Sequence, residues 1–261
     1  LKAKFEARKP GEALIKFDAT ELNRKLDTFF AKPVIADLPD VRLPFNLDIS
    51  GFEATDLKLA GASPVIIDEI KLDASVKESD VEIRRLDLRM PEVKGSLTGR
   101  AGLSGKWPLD LHADARLGIA PLVGEKAEAA LVGEVKGKVS LAAIAEGPVP
   151  AKFLVAADPG TAGLPFSITL VSPGLRLPLA NALPAEQTAL SKINLRMSGD
   201  ARNWTLRGGL DVKSPGTPVA SAALRGRGTL TSVNMDEFTA KTAGGTGLFK
   251  GEITWKDALR W

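Results

Sequence analysis

From Leu43 onward, apolar and polar residues alternate with a period of two. Phe45, Leu47 and Ile49 interleave with Asn46, Asp48 and Ser50, and Leu57 and Leu59 follow. Ile70 and Leu72, Val81 and Ile83, then Leu86, Leu88 and Met90 continue the series in short runs. Each run ends near Gly, Pro, Asp, Asn or Ser, the punctuation of antiparallel strands joined by tight turns. The clearest alternation spans Trp107 to Ile119. Trp107, Leu109, Leu111, Ala113, Ala115, Leu117 and Ile119 share one parity, and Asp110, His112, Asp114 and Arg116 share the other. Successive side chains of a strand point to opposite faces, so this spacing predicts one apolar and one solvated face, where a helix would scatter both sets around its circumference. A strand of that length suits a barrel or a long curved sheet. The pattern returns with Phe153 and Val155, Phe166, Ile168 and Leu170, Leu195 and Met197, Trp204 and Leu206, and finally Ile253 and Trp255.

One segment follows a different period. Leu22, Leu26, Phe29 and Phe30 fall at i, i+4, i+7 and i+8, which predicts a helix over Ala19–Lys32. Asp18 or Thr20 suits its start and Pro33 its stop. An amphipathic stripe of this kind is expected to pack over a sheet edge or end. No linker interrupts the chain, which reads as one elongated β segment over 1–261. A weak internal repeat has openings near 43 and 164, where Leu43-Pro44-Phe45-Asn46-Leu47 returns as Leu164-Pro165-Phe166-Ser167-Ile168. Gly95-Ser96-Leu97-Thr98-Gly99 leads to Trp107, and Gly247-Leu248-Phe249-Lys250-Gly251 leads to Trp255. Two such units imply a sheet that lengthens by leaning each unit on its neighbour.

Composition narrows the chemistry. Aromatic residues are scarce and tyrosine is absent, so the apolar face is aliphatic and offers few clamps for sugars or bases. The balance of 35 basic and 32 acidic residues, interspersed along the strands, speaks against a nucleic-acid partner. Without cysteine there are no disulfides, thiol catalysis or Cys-ligated metals. His112 is the one histidine, on the polar parity of its strand, which removes a His-dependent triad or a multi-His metal site. Phosphate loops fail as well. Gly105-Lys106 would need glycine at 100 and Ser or Thr at 107, where Arg100 and Trp107 stand, and Lys250 occupies the third glycine position of a dinucleotide fingerprint. Paired carboxylates such as Asp87 and Glu92 lie on the polar parity with nothing to perturb them. No catalytic residue, metal or cofactor is expected. No apolar run approaches the roughly 20 residues of a membrane-spanning helix. The chain opens Leu1-Lys2-Ala3-Lys4 with neither an initiator Met nor a signal-peptide pattern, and an excised fragment is the expectation.

Several of these segments together resemble the periplasmic part of the TamB family, a component of the translocation and assembly module. Gly247 through Trp261, with Trp255 and Trp261, is similar to that family's repeat end. Leu43–Ile49 and Leu164–Leu170 resemble its repeat openings, and Gly95 through Leu111, with Trp107, fits the same scheme. The resemblance implies a mainly β, AsmA-like repeating β-groove (a β-taco): a long curved antiparallel sheet with an apolar concave face and one short helix. It implies the Gram-negative periplasm, with an inner-membrane anchor helix outside this sequence. It also implies an outer-membrane barrel partner, TamA, engaged through regions outside this segment.

Under this reading Phe45, Leu47, Ile49, Leu109, Leu111, Leu117, Ile119, Phe166, Ile168, Leu170, Leu195 and Ile253 line the groove and face phospholipid acyl chains in transit between the inner and outer membranes. Ordinary core packing would give the same alternation, as would a sandwich or a closed barrel. Two other readings stand beside it. A scaffold could template outer-membrane protein or autotransporter clients by β-augmentation at its edges. A structural tether would need the apolar face only for folding.

Overall fold

The computed structural model describes residues 15–16, 20–35, 38–59, 65–179, 186–255 and 258–259. Alternation punctuated by turn residues folds as a meander. β1 (Ile15–Lys16) and α1 (Thr20–Phe30) come first. There follow β2 (Leu47–Leu59), β3 (Val65–Lys77), β4 (Asp80–Arg89), β5 (Val93–Gly102), β6 (Pro108–Leu117), β7 (Lys126–Glu134) and β8 (Val139–Glu146). β9 (Ala151–Ala157), β10 (Phe166–Leu177), β11 (Thr188–Gly199), β12 (Trp204–Lys213), β13 (Ala220–Gly228), β14 (Ser232–Thr242), β15 (Gly245–Thr254) and β16 (Ala258–Leu259) complete the order. β2 to β15 form a single 14-stranded antiparallel sheet in which every strand pairs with its sequence neighbours. The sheet is open, with β2 and β15 at its two edges, so the barrel alternative is excluded. β1 and β16 make a separate two-stranded pair.

The sheet is one layer thick. Within this sheet, strand–strand contacts run only between sequence neighbours. Among the described residues, Ala74 and Ile193 are the only buried apolar side chains. The accessible surface is 17082 Å², against roughly 11,000 Å² for a compact monomer of this mass. A two-layer sandwich would have hidden that difference in a core, so the sandwich alternative also fails.

Four strands break the alternation at a bulge, with two successive polar or small residues between apolar ones. These are Ile49-Ser50-Gly51-Phe52 in β2, Ile83-Arg84-Arg85-Leu86 in β4, Leu190-Ser191-Lys192-Ile193 in β11 and Met235-Asp236-Glu237-Phe238 in β14. Strict period two would send every residue beyond the break to the opposite face. The pairing register shifts at each of these points. The extra residue is absorbed as a bulge, which bends the strand and increases its twist. Gly51 (φ 68°) and Lys192 (φ 53°) take the left-handed backbone there. The apolar residues flanking each of these bulges therefore share one side, while Val132, Ile144 and Leu154, 40%, 42% and 54% exposed, stand on the opposite parity with Asp110, Glu128 and Lys152.

Ion pairs brace the opposite side at three of the bulges. Arg84 Nε donates to Asp73 at 2.7 Å and its Nη2 to Asp48 at 2.7 Å, tying β4 to β3 and β2. Lys192 Nζ lies 2.8 Å from Asp211 on β12, and Arg227 Nη2 on β13 lies 2.9 Å from Asp236.

The segment from α1 to β2 crosses one margin of the sheet. Arg202 in the β11–β12 turn donates to the Asp27 carbonyl at 3.2 Å. Gly163, before β10, donates to Phe30 O at 2.8 Å, and Val34 N–H donates to Pro159 O at 3.1 Å. Gly105 N–H and Lys136 Nζ both donate to Asp40 Oδ1, at 3.0 and 3.2 Å. Val41 N–H donates to Leu103 O and Leu43 N–H to Glu78 O, at 2.8 and 2.9 Å. Residues 27–43 thus visit five successive hairpin ends, from β11–β12 back to β3–β4. The helix is two residues shorter than expected at its end, and Phe29 stays 52% exposed, so it caps this margin without filling a core.

Candidate functional site

β6 sets the pattern. Leu109, Leu111, Ala113, Ala115 and Leu117 are half-buried, while Asp110, His112, Asp114 and Arg116 are exposed. Antiparallel partners share a face, so the register carries this parity outward. Leu111 lies between Gly99 on β5 and Leu131 on β7, and Leu109 between Ala101 and Gly133. Leu131 pairs Leu141, which pairs Val155, which pairs Ile168. Ile168 pairs Met197 and Leu170 pairs Leu195. At the far edges Ile253 pairs Val233, and Leu47 and Ile49 pair Val76 and Ala74. Leu47, Ile49, Leu109, Leu111, Leu117, Phe166, Ile168, Leu170, Leu195 and Ile253 therefore share one face of one sheet.

Two expected members stand apart. Phe45 precedes β2 and is 59% exposed, beside the strap that crosses the margin. Ile119 follows β6, and its carbonyl accepts the Leu122 N–H at 2.7 Å in a turn. The strand expected over Trp107–Ile119 is thus Pro108–Leu117. The alternation ran on into turns at both ends, because parity alone carries no stop signal.

The tryptophans gather at the margin that carries the strap. Trp107 has a left-handed φ of 55° before β6, with Lys136 Nζ 6.0 Å from its ring centre. Trp255 follows β15, and its Nε1 donates to the Leu230 carbonyl at 2.8 Å. Trp261 lies outside the described residues. Trp204, not singled out by the repeat, opens β12 opposite Gly228. A Cβ on Gly228 would fall 2.0 Å from the Trp204 ring, so the indole lies over that glycine. The signal was present in the sequence as a turn followed by Trp, shared by Trp107 and Trp204.

The other face is charged and largely self-neutralised. Lys71 bridges Glu69 and Glu53 at 3.1 and 3.5 Å, and Arg100 meets Glu82 at 2.9 Å. The Lys71 hydrogen bond holds the Glu69 carboxyl below its ordinary range, and the Lys192 hydrogen bond does the same for Asp211. Asp87 Oδ2 accepts from Arg85 Nε at 2.6 Å, and His112 Nε2 lies 3.0 Å from Asp110.

An open, single-layered β meander with one mainly aliphatic and one charged face defines an elongated β-sheet protein. The chain belongs to the TamB family, matching the family model described as TamB, N-terminal domain, over residues 3–261. Membership gives it a role in the translocation and assembly module, in transport or assembly rather than catalysis. TamB-family proteins associate with TamA and span the periplasm as envelope proteins. No helix among the described residues is long and apolar enough to cross a membrane. No solved structure matches the chain.

Proposed function

We propose that the apolar face shields phospholipid acyl chains on their way between the inner and outer membranes. The observation that carries this reading is a continuous aliphatic face over fourteen strands with no second layer to cover it. At a strand spacing of about 4.8 Å, that face extends roughly 60 Å across the sheet. Burying one methylene is worth about 0.8 kcal/mol, so a lipid with ~30 acyl methylenes faces a barrier on the order of 20 kcal/mol in crossing water. An apolar path removes most of that barrier, and aliphatic side chains accept any acyl chain. The whole segment acts as one elongated unit in this reading, with Leu111, Ile168 and Leu170 near its centre. TamA is engaged by regions outside the segment.

Native mass spectrometry of the purified chain tests this. Wild type carries phospholipid, and a Leu111→Asp/Leu170→Asp variant of unchanged circular dichroism loses most of it. Equal lipid occupancy in the folded variant refutes the reading.

The free edge at β15, where Leu248 and Phe249 are 59% and 60% exposed, favours a second reading. It pairs a client strand during outer-membrane protein assembly. A proline in β15 then blocks client assembly in cells and leaves bound lipid unchanged, whereas intact client assembly dismisses it.

A further inference from the structure

We propose that the charged face of β11–β13 holds a binding site for a phosphate-bearing anion of headgroup size. Arg196, Arg207 and Arg225 stand side by side on three adjacent strands, paired Arg196 to Arg207 and Arg207 to Arg225. All three are exposed. Directly opposed side chains on neighbouring strands have Cβ atoms about 5 Å apart, and like charges there repel. Five other strand arginines have acidic partners, Arg84 with Asp48, Arg85 with Asp87, Arg89 with Glu69, Arg100 with Glu82 and Arg227 with Asp236, while Arg116 and Arg176 stand singly without one among the described residues. Among the described residues, none of the three row arginines forms an ion pair or a side-chain hydrogen bond.

The neighbouring rows do not neutralise them. Ser198 and Thr205 lie on one side, and Asn194, Gly209 and Ala223 on the other. Glu237 faces Arg225 at the β14 end of the row without forming an ion pair. A second basic row, Lys94–Arg116–Lys126, shows the contrast, since Asp114 and Glu128 stand in the row beside it.

The surface is also hollow at this point. Gly209, opposite Asn194 in the next row, has no side chain to fill the space beside Arg196 and Arg207. Together with Lys192, Asn194 and Gly208 they line a depression of about 520 Å³. A guanidinium presents paired N–H groups that match two oxygens of a phosphate. Arg196 and Arg207 supply two such forks, Arg225 adds charge at the row's far end, and the Asn194 amide adds a donor. Lys192 is held by Asp211 at 2.8 Å and closes the rim. A bound anion relieves the repulsion along the row, so the site is stabilised by its ligand. It lies on the face opposite the acyl-chain path and stands whether or not that path is correct.

The test uses the whole chain with two probes, glycerol 3-phosphate by calorimetry and phosphatidylglycerol vesicles by flotation at low and high salt. Wild type binds at least one probe. Arg196→Gln/Arg207→Gln weakens binding at least tenfold, while its ligand-free melting temperature holds or rises as the repulsion is removed. Lys94→Gln/Arg116→Gln removes the same charge from the row that stands beside Asp114 and Glu128 and keeps affinity within about twofold. Binding of glycerol 3-phosphate identifies a soluble phosphate ester as a sufficient ligand, and binding of vesicles alone places the phosphate at a membrane surface. The proposal is overturned if wild type binds neither probe. It is equally overturned if both double variants lose binding to the same degree, since net charge then accounts for the effect.

Discussion

Lys192 shows how a single side chain serves the sheet. It takes a left-handed backbone at the β11 bulge, and its ammonium bridges to Asp211 on the next strand. The Lys192 hydrogen bond, reinforced by Ser221, holds the Asp211 carboxyl below its ordinary value of 3.8. A carboxyl whose pKa is lower when folded adds stability that is complete above its unfolded pKa and fades as pH falls through its folded one. Lys192→Met should therefore lower the melting temperature slightly at neutral pH, and the gap from wild type should narrow once the pH drops below about 3.8. A thermal-shift series from pH 7 to pH 2.5 reads this, and a constant gap denies the pair its role. Residue parity was legible in the sequence, since the polar and apolar assignments of β6 hold at every position from Leu109 to Leu117. Partnering was not legible. Arg84 reaches Asp48 from 36 positions away, and only the strand register brings them together.

The bulges are the decisive feature among the elements. Read as a sequence, Val81–Ile83 and Leu86–Met90 look like two short runs of opposite parity. They are one strand, β4, with Arg84 and Arg85 folded into the bulge between its halves. The spacing apolar–polar–polar–apolar recurs in β2, β11 and β14, so the signal lay in the chain, but a period-two reading treats it as an ending. Deleting Arg85 should send Leu86 and Leu88 to the charged face or force the strand to slip, at a cost of about 2–4 kcal/mol. Arg85→Ser keeps the residue count and should stay within about 0.5 kcal/mol. Urea unfolding separates the two, and equal stability would show that the bulge is not what holds the register. The strap over residues 31–35 and 38–46 was invisible beforehand, because apart from the Asp40–Lys136 ion pair its ties to the sheet end on backbone groups at hairpin ends, which leave no pattern in side-chain identity. The helix before it was legible from its apolar stripe, though its bounds were two residues generous at the end.

At the scale of the whole molecule, fourteen strands bury almost no apolar side chain completely among the described residues and yet keep most apolar and charged residues on opposite faces, with Val132, Ile144 and Leu154 as exceptions. The proposed function reads this sorting without burial as a surface for a ligand. The sequence predicted the sorting and left open whether a second layer covers it, since alternation looks the same in a sandwich, a barrel and an open sheet. The open edges and the absence of non-neighbour contacts within the 14-stranded sheet decide that question. What remains to be measured is the occupant of the face. Photo-crosslinking residues placed at Leu111, half-buried on the aliphatic side, and separately at His112, exposed on the other, test it in cells with the full-length protein. Mass spectrometry should find phospholipid attached at Leu111 and none at His112. Phospholipid absent from Leu111 in a folded protein, or equal at both positions, would contradict the account.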